Sequence, residues 1–131
     1  MTIVSLQHVQ LNVPLSRADE AKRFYGELLG LQEMPRPGSL SEAGREGAWY
    51  SIGPGQELHL YLNPDGGFDA SASSQHPALV SDDLDGLRER LDAAGLALEE
   101  AIPIAGRERF FARDPGGNRL EFLAFGERGH G

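Results

Sequence analysis

Four histidines, no cysteine and one acidic residue in a particular strand pattern carry the chemistry this chain has to offer. Without thiols, disulfides, thiolate zinc sites, iron–sulfur clusters and cysteine nucleophiles are excluded together. Any metal must be held by imidazole nitrogens and carboxylate oxygens, a set that suits Zn, Ni, Fe or Co and, with the carboxylate, Mn. His8, His59, His76 and Glu121 form such a set, while His130 lies in a Gly-rich tail (126–131) expected to fray. A single histidine on a strand is ordinarily a surface or hydrogen-bonded residue. What raises these four above that background is their placement in a repeat.

Residues 55–60 (Gly-Gln-Glu-Leu-His-Leu) align with 117–122 (Gly-Asn-Arg-Leu-Glu-Phe), which makes His59 and Glu121 equivalent. The run from His8 to Val13 aligns in the same way with His76 to Ser81, which makes His8 and His76 equivalent. Two copies of about 60 residues are too few and too long for a solenoid, and point to two equivalent modules.

The elements that must position these residues follow from periodicity. Residues 3–13 read as a strand in which Val9, Leu11 and Val13 alternate with His8, Gln10 and Asn12. A helix over 17–29 is expected next, capped by Ser16, striped with Ala21, Phe24, Tyr25 and Leu28, and closed by Gly30. Short strands are expected at 31–35 and 47–52. The Gly53-Pro54-Gly55 turn then leads to a strand in which Glu57, His59 and Tyr61 oppose Leu58, Leu60 and Leu62. After a turn-rich linker over 63–75 the order restarts. A strand is expected at 76–81, then a helix capped by Asp82 or Asp83 with Leu84, Leu87 and Leu91 on one face and Gly95 at its end. Strands follow near 97–104, 108–113 and 118–125. Pro77 removes a backbone donor, so its strand must begin there or lie at an edge. The chain thus reads as one domain over 1–131, made of a βαβββ module at 1–62 and another at 76–125.

In each strand the metal-competent side chain leaves the face best suited to a core. Three imidazoles and one carboxylate make a monoanionic shell for a divalent ion, with room for two substrate oxygens in an octahedral site. Gln10 and Tyr61 share faces with His8 and His59 and are candidate substrate contacts. Arg119 shares strand parity with Glu121; it can hold an anionic substrate group, or pair with a surface carboxylate as Arg107, Arg109 and Arg113 can. Trp49 and Phe111, equivalent under the repeat, are assigned to core packing.

The net charge of −8, from 20 acidic and 12 basic residues, disfavours nucleic acid and acidic membranes as partners. No apolar run approaches the roughly 20 residues of a membrane span, and residues 1–8 do not resemble a secretory signal. A cytoplasmic protein acting on a small molecule is the expectation.

Four stretches resemble the glyoxalase, bleomycin-resistance and extradiol-dioxygenase (vicinal oxygen chelate) superfamily. They are His8 to Val13, Arg23 to Leu31, His76 with Val80 to Leu84, and Phe111 to Phe122 with its Asp114-Pro115-Gly116-Gly117-Asn118 turn. The resemblance implies an α+β fold of paired βαβββ modules in an incomplete mixed β-barrel with helices outside, commonly as a homodimer. It implies a divalent-metal triad at His8, His76 and Glu121, with His59 at a fourth position that is often a carboxylate in glyoxalase I. On that resemblance the chain keeps one such carboxylate, Glu121, with Glu121 or a metal-bound hydroxide expected to move the proton, which favours a related lyase or isomerase over the glutathione-hemithioacetal reaction itself. Such an enzyme would bind vicinal substrate oxygens and stabilise an enolate-like anion. The alternatives are a metal-free drug-binding protein of the bleomycin-resistance kind, which an acidic chain would suit for a cationic ligand, and an extradiol-type dioxygenase.

Overall fold

The computed structural model describes residues 2–66 and 70–125. Part of the expected linker (67–69), the tail 126–131 and His130 lie outside the described residues. The chain divides into two compact units, Met1–Asp69 and Ala70–Gly131, each an α+β unit around its own four-stranded mixed sheet.

In the first unit, strands β1 (His8–Pro14), β2 (Gln32–Met34), β3 (Gly47–Ile52) and β4 (Gln56–Asn63) lie in the order β1-β4-β3-β2. β1 runs parallel to β4, and the other pairs are antiparallel. Parallel neighbours need a long crossover, part of which is a helical stretch formed by a 3-10 turn at Leu15–Arg17, helix α1 (Ala18–Lys22) and a π-helical turn at Arg23–Leu28. It buries Ala21, Phe24 and Tyr25, as the apolar stripe requires, and Gly30 follows with φ at +74°. Ser16 does not cap it: the 3-10 turn starts at Leu15, so Ser16 already lies inside the helical stretch, and no side chain caps it. A short helix α2 (Gly38–Glu42), which no sequence pattern announces, precedes β3.

The first strand is shorter than its hydrophobicity suggests. β4 starts at Gln56, and the Glu57 amide to the Gln7 carbonyl (2.9 Å) marks where its pairing with β1 gives out. Ile3, Val4 and Leu6 are left exposed.

The second unit repeats the plan. Strands β5 (Ala78–Val80), β6 (Glu99–Glu100), β7 (Arg107–Arg113) and β8 (Arg119–Phe125) take the order β5-β8-β7-β6, with β5 parallel to β8. Helix α3 (Leu84–Ala93) buries Leu84, Leu87 and Leu91, is capped by Asp83 accepting from the Gly86 amide at 3.1 Å, and ends before Gly95 at φ +84°. β5 begins just after Pro77 and forms a sheet edge, as the missing amide demands. The strand expected over 97–104 is only two residues long; Ile102 and Ile104 are exposed, so that run has no partner face to bury against. Register makes the repeat concrete. Gln10 pairs with His59, and Ala78 with Glu121; Trp49 pairs with His59, and Phe111 with Glu121.

Tyr50 is a buried member of the first core whose hydroxyl finds no hydrogen-bond partner. Burial, aided by the negative charge of Glu33, pushes its phenol up to about 12. A raised folded-state pKa contributes stability that is complete below the unfolded value of about 10 and is lost as pH rises toward 12. Tyr50→Phe is therefore expected to be as stable as the parent at pH 7, or more so by about 1 kcal/mol, because an unsatisfied buried hydroxyl disappears. Its melting temperature should fall less between pH 10 and 12, which thermal denaturation followed by circular dichroism will show. A variant that melts lower at pH 7 would mean that the hydroxyl has a partner in solution.

Candidate functional site

In the first unit, alternation along β1 and β4 brings His8, Gln10, Glu57, His59 and Tyr61 to one face, opposite the buried Leu58, Leu60 and Leu62. Trp49 joins them from β3 because it stands directly across from His59. The His59 ring is sandwiched: Trp49 lies 3.9 Å away at 1°, and His8 lies 4.2 Å away at 18°. Glu57 accepts from His59 Nε2 at 2.7 Å, which fixes the proton on that nitrogen and leaves Nδ1 as the lone-pair atom. The hydrogen bond from His59 holds the Glu57 carboxyl below the usual carboxylate range, against the opposing effect of burial, with Gln7 and the positive charge that His59 and His8 can carry assisting. His8 Nδ1 contacts Gln7 Oε1 at 2.6 Å. Imidazole lone pairs lie in the ring plane, so two rings stacked this closely do not converge on one point. A turn of one side chain is needed before both address one ion.

These side chains border a cavity of about 530 Å³, shared with Arg36, Arg45 and Glu46 from around α2. Arg45 rests its guanidinium over the Tyr61 ring at 4.6 Å.

The second unit presents a different pair. His76 Nδ1 donates to the Ser74 carbonyl at 2.8 Å, and its Nε2 stands 3.0 Å from Glu121 Oε1. A carboxylate cannot donate, and a neutral His76 that donates from Nδ1 has only a lone pair at Nε2. The pair is therefore complete only with a cation between its two acceptor atoms, a proton or a metal ion. Metal bonds of about 2.1 Å to neighbouring ligands of an octahedral ion would set the donors about 3 Å apart, so this spacing fits a divalent ion. Glu121 is buried at 6% exposure, and Arg109 Nη1 approaches the same oxygen at 3.5 Å. The Glu121 amide bonds the Pro77 carbonyl at 3.1 Å, which ties its main chain to the residue after His76.

Phe111 lies on this same face, edge-on to His76 at 5.1 Å and covered by the Arg119 guanidinium at 3.7 Å. Arg119 also donates to Glu99 at 3.2 Å, a pairing with a surface carboxylate that the sequence left open. The assignment of Trp49 and Phe111 to core packing holds for Phe111, which is buried, while Trp49 is half-buried. Their register opposite His59 and Glu121 puts them on the polar face of each sheet, where they pack against imidazoles.

Support for β8 comes from the turn before it. Asp114 Oδ1 accepts from the Gly116 and Asn118 amides, both at 2.8 Å, and its Oδ2 accepts from Asn118 Nδ2 at 3.0 Å. Arg113 bonds the carbonyls of Ala70, Ser73 and Gly117, fastening the segment that leads to His76. Among the described residues the ligand-type side chains come as two pairs, and no group of three or more is close enough to hold an ion. Glu57, Arg36 and Arg45 were not singled out from sequence, and Arg109 was named there only as a partner for surface carboxylates. Only Glu57 left a signal there, its shared parity with His59.

A family model described as the Glyoxalase/Bleomycin resistance protein/Dioxygenase superfamily matches residues 5–122. A glyoxalase-family protein from Bacillus anthracis is 32% identical with a TM-score of 0.83, covering 95% of this chain and 98% of that one. TnmS3, an antibiotic binding protein from a Streptomyces species, is 25% identical with a TM-score of 0.64, covering 95% and 98%. FosX, a fosfomycin resistance protein from Listeria monocytogenes solved with Mn(II) and 1S,2S-dihydroxypropylphosphonic acid, is 18% identical with a TM-score of 0.72, covering 94% of each chain, and shares the fold. No curated protein sequence matches significantly. No helix among the described residues is long and apolar enough to cross a membrane. With nearly its whole length matched, this chain belongs to the Glyoxalase/Bleomycin resistance protein/Dioxygenase superfamily.

Proposed function

We propose that the chain is a metal-dependent lyase or isomerase acting on a small molecule with neighbouring oxygens, its divalent ion (Zn, Ni, Mn, Fe or Co) held by His8, His59, His76 and Glu121. The observation that carries this reading is the His76–Glu121 pair, in which a partly exposed imidazole and a buried carboxylate face each other with acceptor atoms 3.0 Å apart. A bound divalent ion would supply Lewis acidity toward substrate oxygens. Glu121 would move the proton through Oε2, because Oε1 is turned toward His76 and Arg109. Ser74 holds the His76 ring in one orientation, and Glu57 does the same for His59. Gln10 and Tyr61 would contact the substrate, with Arg119 available to an anionic group beyond Phe111. The reading keeps the cytoplasmic location expected from the sequence and the homodimer that the resemblance implies.

A second reading, a metal-free antibiotic-binding protein, has its own support. TnmS3 is an antibiotic binding protein, and the stacked His8 and His59 rings as they stand do not converge on an ion. An Fe(II) dioxygenase would use His8, His76 and Glu121.

Trp49 is the sole tryptophan and stacks on His59, so its fluorescence reports on that ring. Metal analysis of the purified protein, with titration of Mn, Zn, Ni, Fe and Co into chelator-treated protein, is expected to give about one ion per site and a saturable change in Trp49 emission. His59→Ala should remove the emission change. If none of the five metals binds near stoichiometrically, the enzyme reading fails in favour of the second. Binding that leaves Trp49 silent would remove His59 from the ligand set.

A further inference from the structure

Two guanidinium groups in the first-unit cavity have no task in the reading above. In a chain with 20 acidic residues for 12 basic ones, arginines find carboxylates readily. Arg17 pairs with Glu20, Arg88 with Glu100, Arg109 with Glu121 and Arg119 with Glu99. Arg36 and Arg45 line the cavity and have no such partner among the described residues.

Arg36 uses its Nη2 to reach the Arg45 carbonyl at 2.9 Å, while its Nε is buried without a partner. The Nε atoms of Arg109 and Arg119 are left in the same state although both arginines have carboxylate partners, so what sets Arg36 apart is the missing carboxylate. Gly47 makes room for this placement. A Cβ there would collide with the Leu60 carbonyl and press on the Arg36 guanidinium at 3.3 Å. Arg45 is held over Tyr61 by its cation–π contact, which leaves its N–H edge unused.

The two carboxylates of the cavity, Glu46 and Glu57, match the two arginines in formal charge, but neither forms an ion pair with them. Glu57 is engaged by His59 and Gln7. Glu46 is exposed and forms no ion pair with either arginine.

We infer that this cavity selects a small anion, a ligand whose carboxylate or phosphonate oxygens bind Arg36 and Arg45 while the rest of it meets Trp49, Tyr61 and the histidine pair. Planar guanidinium groups match both kinds of oxyanion through paired hydrogen bonds. The inference rests on the proposed function only in taking this cavity as the small-molecule site. It also runs against the expectation from net charge, because the charged side chains left without an ion-pair partner toward one another in this cavity include two guanidinium groups with free donors for an anion.

The test uses metal-free protein, so that an anion cannot report by chelating an ion. Trp49 fluorescence is titrated with succinate, with phenylphosphonate and with choline, for the parent, Arg36→Gln, Arg45→Gln and the double variant. Expected is saturable binding of at least one anion and none of choline. Each single variant should weaken it several-fold and the pair at least about 10-fold, as fits the loss of charge-assisted hydrogen bonds. The tighter of the two anions identifies the oxyanion class. Equal affinity in parent and double variant, choline binding as strong as the anions, or no anion binding at all would overturn the inference. Arg45 is exposed, so Arg45→Gln keeps the test alive if removal of Arg36 disturbs folding. Metal uptake, measured in parallel, separates the two ideas. Metal without anion binding sinks this inference alone, and arginine-dependent anion binding without metal sinks the metal reading alone.

Discussion

Glu121→Gln is expected to lower divalent-metal affinity on the order of 10²-fold or more while leaving the fold in place. The substitution keeps the shape of the side chain, so β8 and its pairing to the Pro77 carbonyl are not disturbed. What it removes is the anionic charge facing His76 Nε2 at 3.0 Å. Loss even of an outer partner of a metal ligand typically costs 10–100-fold, and a carboxylate ligand contributes more because it neutralises the ion. His76→Gln should act in the same direction. Isothermal titration with Mn or Zn, alongside metal analysis by plasma spectrometry, reads the result. Stoichiometric uptake at unchanged affinity in both variants would show that the ion, if any, sits elsewhere.

Asp114→Ala carries the largest expected effect on stability, a loss of about 3 kcal/mol. The Asp114 carboxylate is buried at 5% exposure and accepts from two backbone amides and from the Asn118 side chain. Truncation strands those donors in a buried turn, and each hydrogen bond to a charged group is worth about 1.5–3 kcal/mol before relaxation. The turn also sets where β8 begins, so metal uptake should weaken together with stability. Urea denaturation gives the first number, and metal titration well below the transition gives the second. Asn118→Ala removes only the side-chain half of the arrangement and should cost less. Equal stability of Asp114→Ala and the parent would mean that water satisfies the turn once the carboxylate is gone.

Some of this molecule is legible in its sequence because the governing periods are local. Alternation with period two assigns His8, Gln10, Glu57, His59 and Tyr61 to one face without knowledge of what lies beyond it. Spacing of Leu84, Leu87 and Leu91 predicts the buried side of α3, and Pro77 predicts an edge. The internal repeat goes further, since the equivalence of His59 with Glu121 is a statement about register that the pairings of Gln10 and Ala78 reproduce.

Other features depend on what meets across a sheet or in a loop, and no local pattern encodes that. The start of β1 at His8 follows from where β4 starts, although Ile3, Val4 and Leu6 look like strand. Trp49 and Phe111 were read as core from their aromatic character; cross-strand pairing decides which imidazole or carboxylate each one faces. Helix α2 and the cavity arginines beside it come from a stretch without periodicity. Of the four ligand candidates, residue type and strand parity can be read directly from the chain. Whether each presents a lone pair is decided by the folded contacts: the Ser74 carbonyl, two residues back, sets which nitrogen of His76 is free, and Trp49 and His8, across the sheet, set the plane of His59. Ring orientation depends on hydrogen bonds in the folded chain and, for His59, on rings brought beside it by strand pairing, and periodicity carries no information about either.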